Sequence, residues 1–353
     1  MLRERDRLLA LLRELHDDIA ATVIAATEAR PVEALAAVVD DDPSGDTIFA
    51  LDRISEERLV TFFAERVAPI WPLVLIAEGL ADSGLGAGVL ALPHGLAPAD
   101  AELRIIVDPV DGTRGLMYQK RSAWVLTGVA PNRGPTLAAT RLSDIELAVQ
   151  TEIPLVKQHL ADQLWAMRGE GMVAERRNRL TGARAAIPHQ RLRPSQATSI
   201  AQGFATVARY FPGARMELAA IDEEIARATL GPPQPDKAQS FEDQYICTAG
   251  QLYELLAGHD RFVADLRPLM AVLVARDGAP GQAFSICAHP YDLAALLIAQ
   301  RAGVIVTDAR GAPLDAPLDT TTNVAWVAYA NAAIRAQMEP PLLAALRTRG
   351  LLA

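Results

Sequence analysis

An α/β chain of the layered α+β kind is what this sequence predicts, and three observations carry the prediction. The first thirty residues place Leu8, Leu9, Leu12, Leu15, Ile19 and Val23 at helical spacing, with charges on the opposite face. Two short, mostly apolar runs, Leu73–Ala77 and Leu103–Val107, each close on an acid, Glu78 and Asp108. The second half alternates helical and extended patterns.

Taken in order, a polar, acidic loop at Asp40–Asp46 follows the first helix, and a second amphipathic helix spans Glu56 to Val67, burying Leu59, Val60, Phe63 and Val67. Strands are predicted at 73–77 and 103–107, separated by a Gly- and Pro-rich loop from Ser83 to Pro98. Further strands are predicted at Ala123–Ala130, Ile145–Thr151 and Leu164–Arg168, and Gly169, Gly171 and Gly182 punctuate the chain after the last of them. Helices are expected at 215–228, 241–257 and 292–302, and strands at 304–307 and 324–330. In the last helical region, Pro340-Pro341 should break or restart the helix. A division near residue 195 is expected, with 1–195 an N-terminal metal- and phosphate-binding subdomain and 196–353 a C-terminal α/β subdomain.

At 353 residues the chain is long enough to bury a large core, and half of its residues are hydrophobic. No stretch has the apolar length of a membrane helix, and the N-terminus lacks a secretory pattern, so a cytoplasmic protein without a membrane partner is expected. Cys247 and Cys287 make neither a disulfide framework nor a zinc-site spacing. A net charge of −9 argues against a nucleic-acid polymer as partner. The local exception is Glu175–Arg193, where Arg176, Arg177, Arg179, Arg184, Arg191 and Arg193 face one acid. That stretch reads either as a solvated hairpin edge guarded by charge or as a patch steering an anion.

The chemistry concentrates in Asp108-Pro109-Val110-Asp111-Gly112-Thr113. Two carboxylates three residues apart, on a turn stiffened by Pro109, repel each other unless a cation lies between them. A hard divalent ion with oxygen ligands, Mg2+ above all, suits such a pair. Gly112 and Thr113 then open a turn or helix whose free N–H groups can bind phosphate. Arg114 is either a further charge-assisted contact to phosphate or a surface cation.

On these residues the chain resembles the inositol monophosphatase family, within the fructose-1,6-bisphosphatase-like group of Mg2+-dependent, lithium-sensitive phosphatases. The second signature of that family is an aromatic-Asp pair opening a helix, then Gly and a strand; here it is Pro290-Tyr291-Asp292 through Gly303 to Asp308, with Tyr291 in place of the more usual Trp. The third is the strand-end acid Glu78, followed here by Gly79 where the family often has a second glutamate. The resemblance runs from about Asp46 to Asn331, and it implies layered helices and sheets in two subdomains with the site between them.

Carried over residue by residue, it implies that Asp108 bridges two metals, the Val110 carbonyl joins the first, Asp111 the second, and Asp292 completes the second. Glu78 binds metal directly or through the attacking water. Asp52 pairs with Thr113 as base or proton relay, and Gly112, Thr113 and Arg114 meet the phosphate. Two or three Mg2+ ions would serve hydrolysis of a small phosphomonoester by metal-activated water, without a phospho-enzyme. Inositol phosphate, sugar phosphate and phosphonucleotide all stay open as substrates, as does a homodimer. His259, Asp260 and Arg261 are expected near the substrate side. The competing reading is a non-catalytic sugar-phosphate or metal-binding module on the same scaffold.

Overall fold

A computed structural model describes residues 2–41, 47–49, 58–80, 83–277 and 286–352. Helix α1 (Arg5–Ala29) is followed by a single turn, α2 (Val32–Leu35), and a short hairpin of β1 (Val38–Asp41) and β2 (Thr47–Phe49). Of the helix predicted over Glu56–Val67, the described part is helical from 58 and ends in a π-helical turn, Phe63–Val67, with Leu59, Phe63 and Val67 buried. The main sheet then forms from β3 (Leu73–Ala77), β4 (Val89–Leu92), β5 (Leu103–Asp111), β6 (Ala123–Pro131), β7 (Leu147–Ile153), β8 (Leu160–Met167), β9 (Met172–Asn178) and β10 (Arg184–Ala186). Its spatial order is β10-β9-β8-β7-β6-β5-β3-β4, antiparallel except where β3 runs parallel to β5.

Period-two alternation lets this sheet bury both faces. Leu73, Leu75, Ile105, Val107, Val125 and Val149 point to one side, where Leu8, Leu12, Leu15, Ile19 and Val23 of α1 cover them. Val74, Ile76, Ile106, Trp124, Leu126 and Leu164 point to the other. There they meet α5 (Thr248–Leu256) and α7 (Leu296–Ala302), through Leu252, Leu255, Leu296 and Ile298.

A second sheet of four strands lies beyond those two helices: β11 (Phe204–Val207), β12 (Asp260–Asp265), β14 (Trp326–Tyr329) and β13 (Ile305–Thr307), in that spatial order. Its outer face is covered by α4 (Arg215–Leu230) and α8 (Ala332–Thr348), through Leu218, Ile221, Ile225, Ile334, Met338 and Leu342 packed on Phe262, Ala264, Val327 and Tyr329. The layers therefore run helix, sheet, helix, sheet, helix, which is the layered α+β class the sequence predicts.

Local differences have local causes. β5 continues through Pro109 to Asp111 where a turn was expected, because its pairing with β6 shifts register between Asp108 and Asp111, so the missing proline N–H interrupts no ladder. The helix expected at 241–257 is confined to 248–256. Phe241 is taken up in backbone pairing with Gly203 and Ala205, and the Gln244 side chain bonds Arg209 N and Val207 O. α8 runs unbroken through Pro340-Pro341, its buried face offsetting the hydrogen bonds two prolines remove. The arginine-rich stretch is a hairpin edge held by acids: Arg176 pairs with Asp162, Arg179 with Glu28, and Arg177 and Arg184 with Asp17.

Candidate active site

Because β3 and β5 are parallel, with Ala77 opposite Val107, the acids at the C-terminal ends of both strands emerge at one end of the sheet. Glu78 arrives from β3, and Asp108 and Asp111 from the end of β5. Asp292 enters from the 3-10 turn Tyr291–Leu293, which leads into α7. Each of Asp108, Asp111 and Asp292 offers a carboxylate oxygen, and these oxygens lie within 4.8 Å of one another. Glu78 lines the same cleft but stands outside that trio, and its Oε1 accepts a 3.4 Å bond from the Tyr291 hydroxyl.

The backbone around the trio is tightly specified. Asp108 Oδ1 accepts from Val110 N at 3.0 Å, so the acid folds back over its own strand end. Asp292 Oδ2 accepts from His289 N at 2.6 Å, and the His289 ring stacks on Tyr291 at 5.3 Å, a structural duty for that histidine. The Thr113 hydroxyl donates to the Val110 carbonyl at 2.8 Å, tying together a proposed phosphate contact and a proposed metal ligand. Gly112, at φ 95, lets the chain turn from β5 into the short helix α3 (Thr113–Met117).

Asp111 receives Ala249 N at 2.6 Å from the first turn of α5. Burial nonetheless pushes its pKa up to about 6, only partly opposed by that N–H and by the positive charge of Arg267. Three acids gathered in a buried place is an arrangement that wants a cation. Two oxygens on opposite sides of one Mg2+ stand about 4.2 Å apart, so a trio spanning 4.8 Å fits hard-ion coordination with small adjustment. The donor set is all oxygen, which suits Mg2+ over softer metals.

The trio floors a solvent-open cleft of ≈ 590 Å³, walled by Glu78, Val110, Gly112, Thr113 and Arg114. Glu78, Asp108, Val110, Asp111, Gly112, Thr113, Arg114 and Asp292, named from sequence for metal, phosphate or catalysis, thus line one cleft; Asp52 lies outside the described residues. His259, Asp260 and Arg261 do not line this cleft. They begin β12, whereas its far end, Asp265, leads to Arg267 at the cleft, so the length of a strand separates the two.

Neither family models nor the sequences of curated proteins match this chain. Solved structures do. The extragenic suppressor protein SuhB of Bartonella henselae matches over 95% of this chain and 98% of its own, with a TM-score of 0.61 at 16% identity. The Thermotoga maritima inositol monophosphatase matches over 97% and 99%, with a TM-score of 0.59 at 15% identity. Leishmania major fructose-1,6-bisphosphatase matches over 97% and 94%, with a TM-score of 0.64 at 14% identity.

The chain has the inositol monophosphatase fold. At these identities the likeness is one of architecture, and the chemistry has to be argued from the site.

On this inositol monophosphatase scaffold, sequence reasoning missed one wall of the cleft: Tyr210, Phe211, Cys247, Thr248, Arg267 and Cys287. Arg267 is buried and bound to buried Asp265 through Nε at 2.8 Å and Nη2 at 2.5 Å, and Nη1 donates to Ile286 O at 2.5 Å. Its guanidinium lies 4.5 Å from the Tyr210 ring centre and 5.5 Å from that of Phe211. Arg114 lies 5.3 Å from the same Phe211 ring. Burial works against charge on Arg267, but Asp265 and Tyr210 outweigh it and raise its pKa. The one sequence signal was Asp265-Leu266-Arg267, an acid and a base two apart after an apolar strand.

Proposed function

We propose that this chain is a Mg2+-dependent phosphomonoesterase that releases phosphate from a small phosphorylated metabolite. The observation that carries the reading is the convergence of Asp108, Asp111 and Asp292 from distant parts of the chain onto one cleft. Segment 1–195 supplies Glu78, Asp108 and Asp111, and segment 196–353 supplies Asp292. Those three aspartates and the Val110 carbonyl would hold the metal, with Glu78 beside them. When bound, Mg2+ supplies Lewis-acid chemistry, neutralising phosphate charge and lowering the pKa of water.

The protein's own groups do the rest. Gly112 lets the backbone come close to a phosphate, and Arg114 gives a charge-assisted contact to it. Thr113 is fixed through its bond to the Val110 carbonyl, and with Asp52 as the proposed base it would relay a proton. The N-terminal turn of α5 orients Asp111 through Ala249 N.

A panel of inositol phosphates, sugar phosphates and phosphonucleotides, assayed for phosphate release with and without Mg2+, tests the reading. We expect Mg2+-dependent release from at least one class, reduced about 100-fold or more in Asp292→Asn, the scale expected when an electrostatic contributor to the transition state is lost. Tight Mg2+ binding with no release from any class would overturn it in favour of a non-catalytic sugar-phosphate or metal-binding module.

A further inference from the structure

We infer that Arg267 is a second anion-binding position, and that the substrate class of this cleft carries a second anionic group besides the phosphate that is released. The inference rests on the phosphatase reading for the first group and on separate residues for the second.

A buried guanidinium is costly unless its geometry is fixed and its charge is used. Here both conditions point toward the cleft. Asp265, fully buried at 0% exposure and absent from the cleft lining, grips Arg267 from behind along its Nε–Nη2 edge. Arg267 itself lines the cleft, so the ion pair presents its positive end to whatever binds there. Tyr210 and Phe211 lie against the guanidinium, their ring centres 4.5 and 5.5 Å from it. Asp265 and the Ile286 carbonyl engage three of the five N–H groups a guanidinium carries. An arginine held this way is a preformed fork for a phosphate or carboxylate and loses little side-chain entropy on binding.

Arg267 and the aspartate trio line one cleft. A molecule with one phosphate over the trio therefore has Arg267 within its span. A neutral polyol would find this wall poorly matched, since its hydroxyls gain less from a fixed cation than an anion does.

Hydrolysis-resistant probes separate this inference from the phosphatase reading, because their carbon–phosphorus bonds need no turnover. Alkyl monophosphonates and α,ω-bisphosphonates, propyl to hexyl, are titrated calorimetrically against the intact protein in saturating Mg2+. The best bisphosphonate should bind at least ~10-fold more tightly than its monophosphonate, the scale of one charge-assisted hydrogen bond. In Arg267→Met the ratio should fall toward one. The double variant Asp265→Asn/Arg267→Met, which leaves no unpaired buried charge, should behave the same if the single variant folds poorly. A ratio near one in the wild type, or an undiminished ratio in a folded variant, overturns the inference even if phosphate esters are hydrolysed. A ratio lost with Arg267, in a protein that hydrolyses no ester, would leave the second anion site standing and remove only the hydrolase reading.

Discussion

Replacing Gly112 by Ala should damage both the fold and the metal site, and the structure sets the size of the effect. Gly112 sits at φ 95, where an L-residue costs about 1–2 kcal/mol. A Cβ built there would stand 3.0 Å from both Cβ and Sγ of Cys247, and 3.5 Å from Ala123 Cα. Carbon atoms normally rest about 3.5–4.0 Å apart. Cys247 must therefore give way, at a cost of about 1–3 kcal/mol for an overpacked core contact. Together these predict a loss of about 2–5 kcal/mol by urea unfolding. Cys247 is also the N-cap of α5, and the Ala249 N–H two residues on holds Asp111, so its retreat should weaken Mg2+ binding as well. Gly182→Ala is the control: its φ is 74, but nothing lies within 4 Å of its added Cβ, so only the strain of about 1–2 kcal/mol should register. If both variants lose equal stability and bind Mg2+ equally well, the contact with Cys247 is not what requires glycine at 112.

Two buried groups give opposite pH signatures. His16 lies between Thr127 Oγ1 at 2.8 Å and Thr151 Oγ1 at 3.0 Å, and burial pushes its pKa down to about 3. Its contribution is therefore present above the unfolded value of about 6.5 and is lost as pH falls toward 3, amounting to about 2 kcal/mol by pH 5. Urea unfolding of His16→Gln should lack that part of the slope between pH 8 and 5; an unchanged slope would show that His16 is not the titrating group. Asp260 is shifted the other way, up to about 7, by burial and then by the charge of Glu254. Its stability contribution is fully present below the unfolded value of about 3.9 and is lost as pH rises through 7. The stability advantage of Asp260→Asn over wild type should grow by about 2.6 kcal/mol from pH 5 to pH 8, and an advantage independent of pH would refute the assignment.

How much of the molecule was legible in its sequence depended on how local each signal is. Leu73–Ala77 was legible to the residue, because a continuous apolar run admits few alternatives and Glu78 and Gly79 end it. The Asp108–Thr113 motif was legible as a gathering of carboxylates, which the structure shows with Asp292, and misread as shape: Pro109 signals a turn locally, and only the partner strand β6 supplies the register shift that keeps β5 going. The helix expected from 241 failed in the same way, since pairing between Phe241 and the strand residues 203–205 is invisible from one segment. In α8, tertiary burial of Met338 and Leu342 overrode two prolines. The wall of Tyr210, Phe211 and Arg267 was hidden because its pieces become neighbours only after β12 delivers Asp265 and Arg267 to the cleft. Asp292 was found despite its distance from Asp111, because a whole downstream pattern accompanied it.

The phosphatase reading requires that Asp108, Asp111 and Asp292 hold hard cations. Mn2+ substitutes for Mg2+ on oxygen ligands and scatters anomalously, so crystals grown with Mn2+ test this directly. The predicted result is at least one anomalous peak within coordinating distance of all three carboxylates, weakened or gone in Asp292→Asn. A wild-type map with no peak at those carboxylates, at Mn2+ levels that saturate binding in solution, would contradict it.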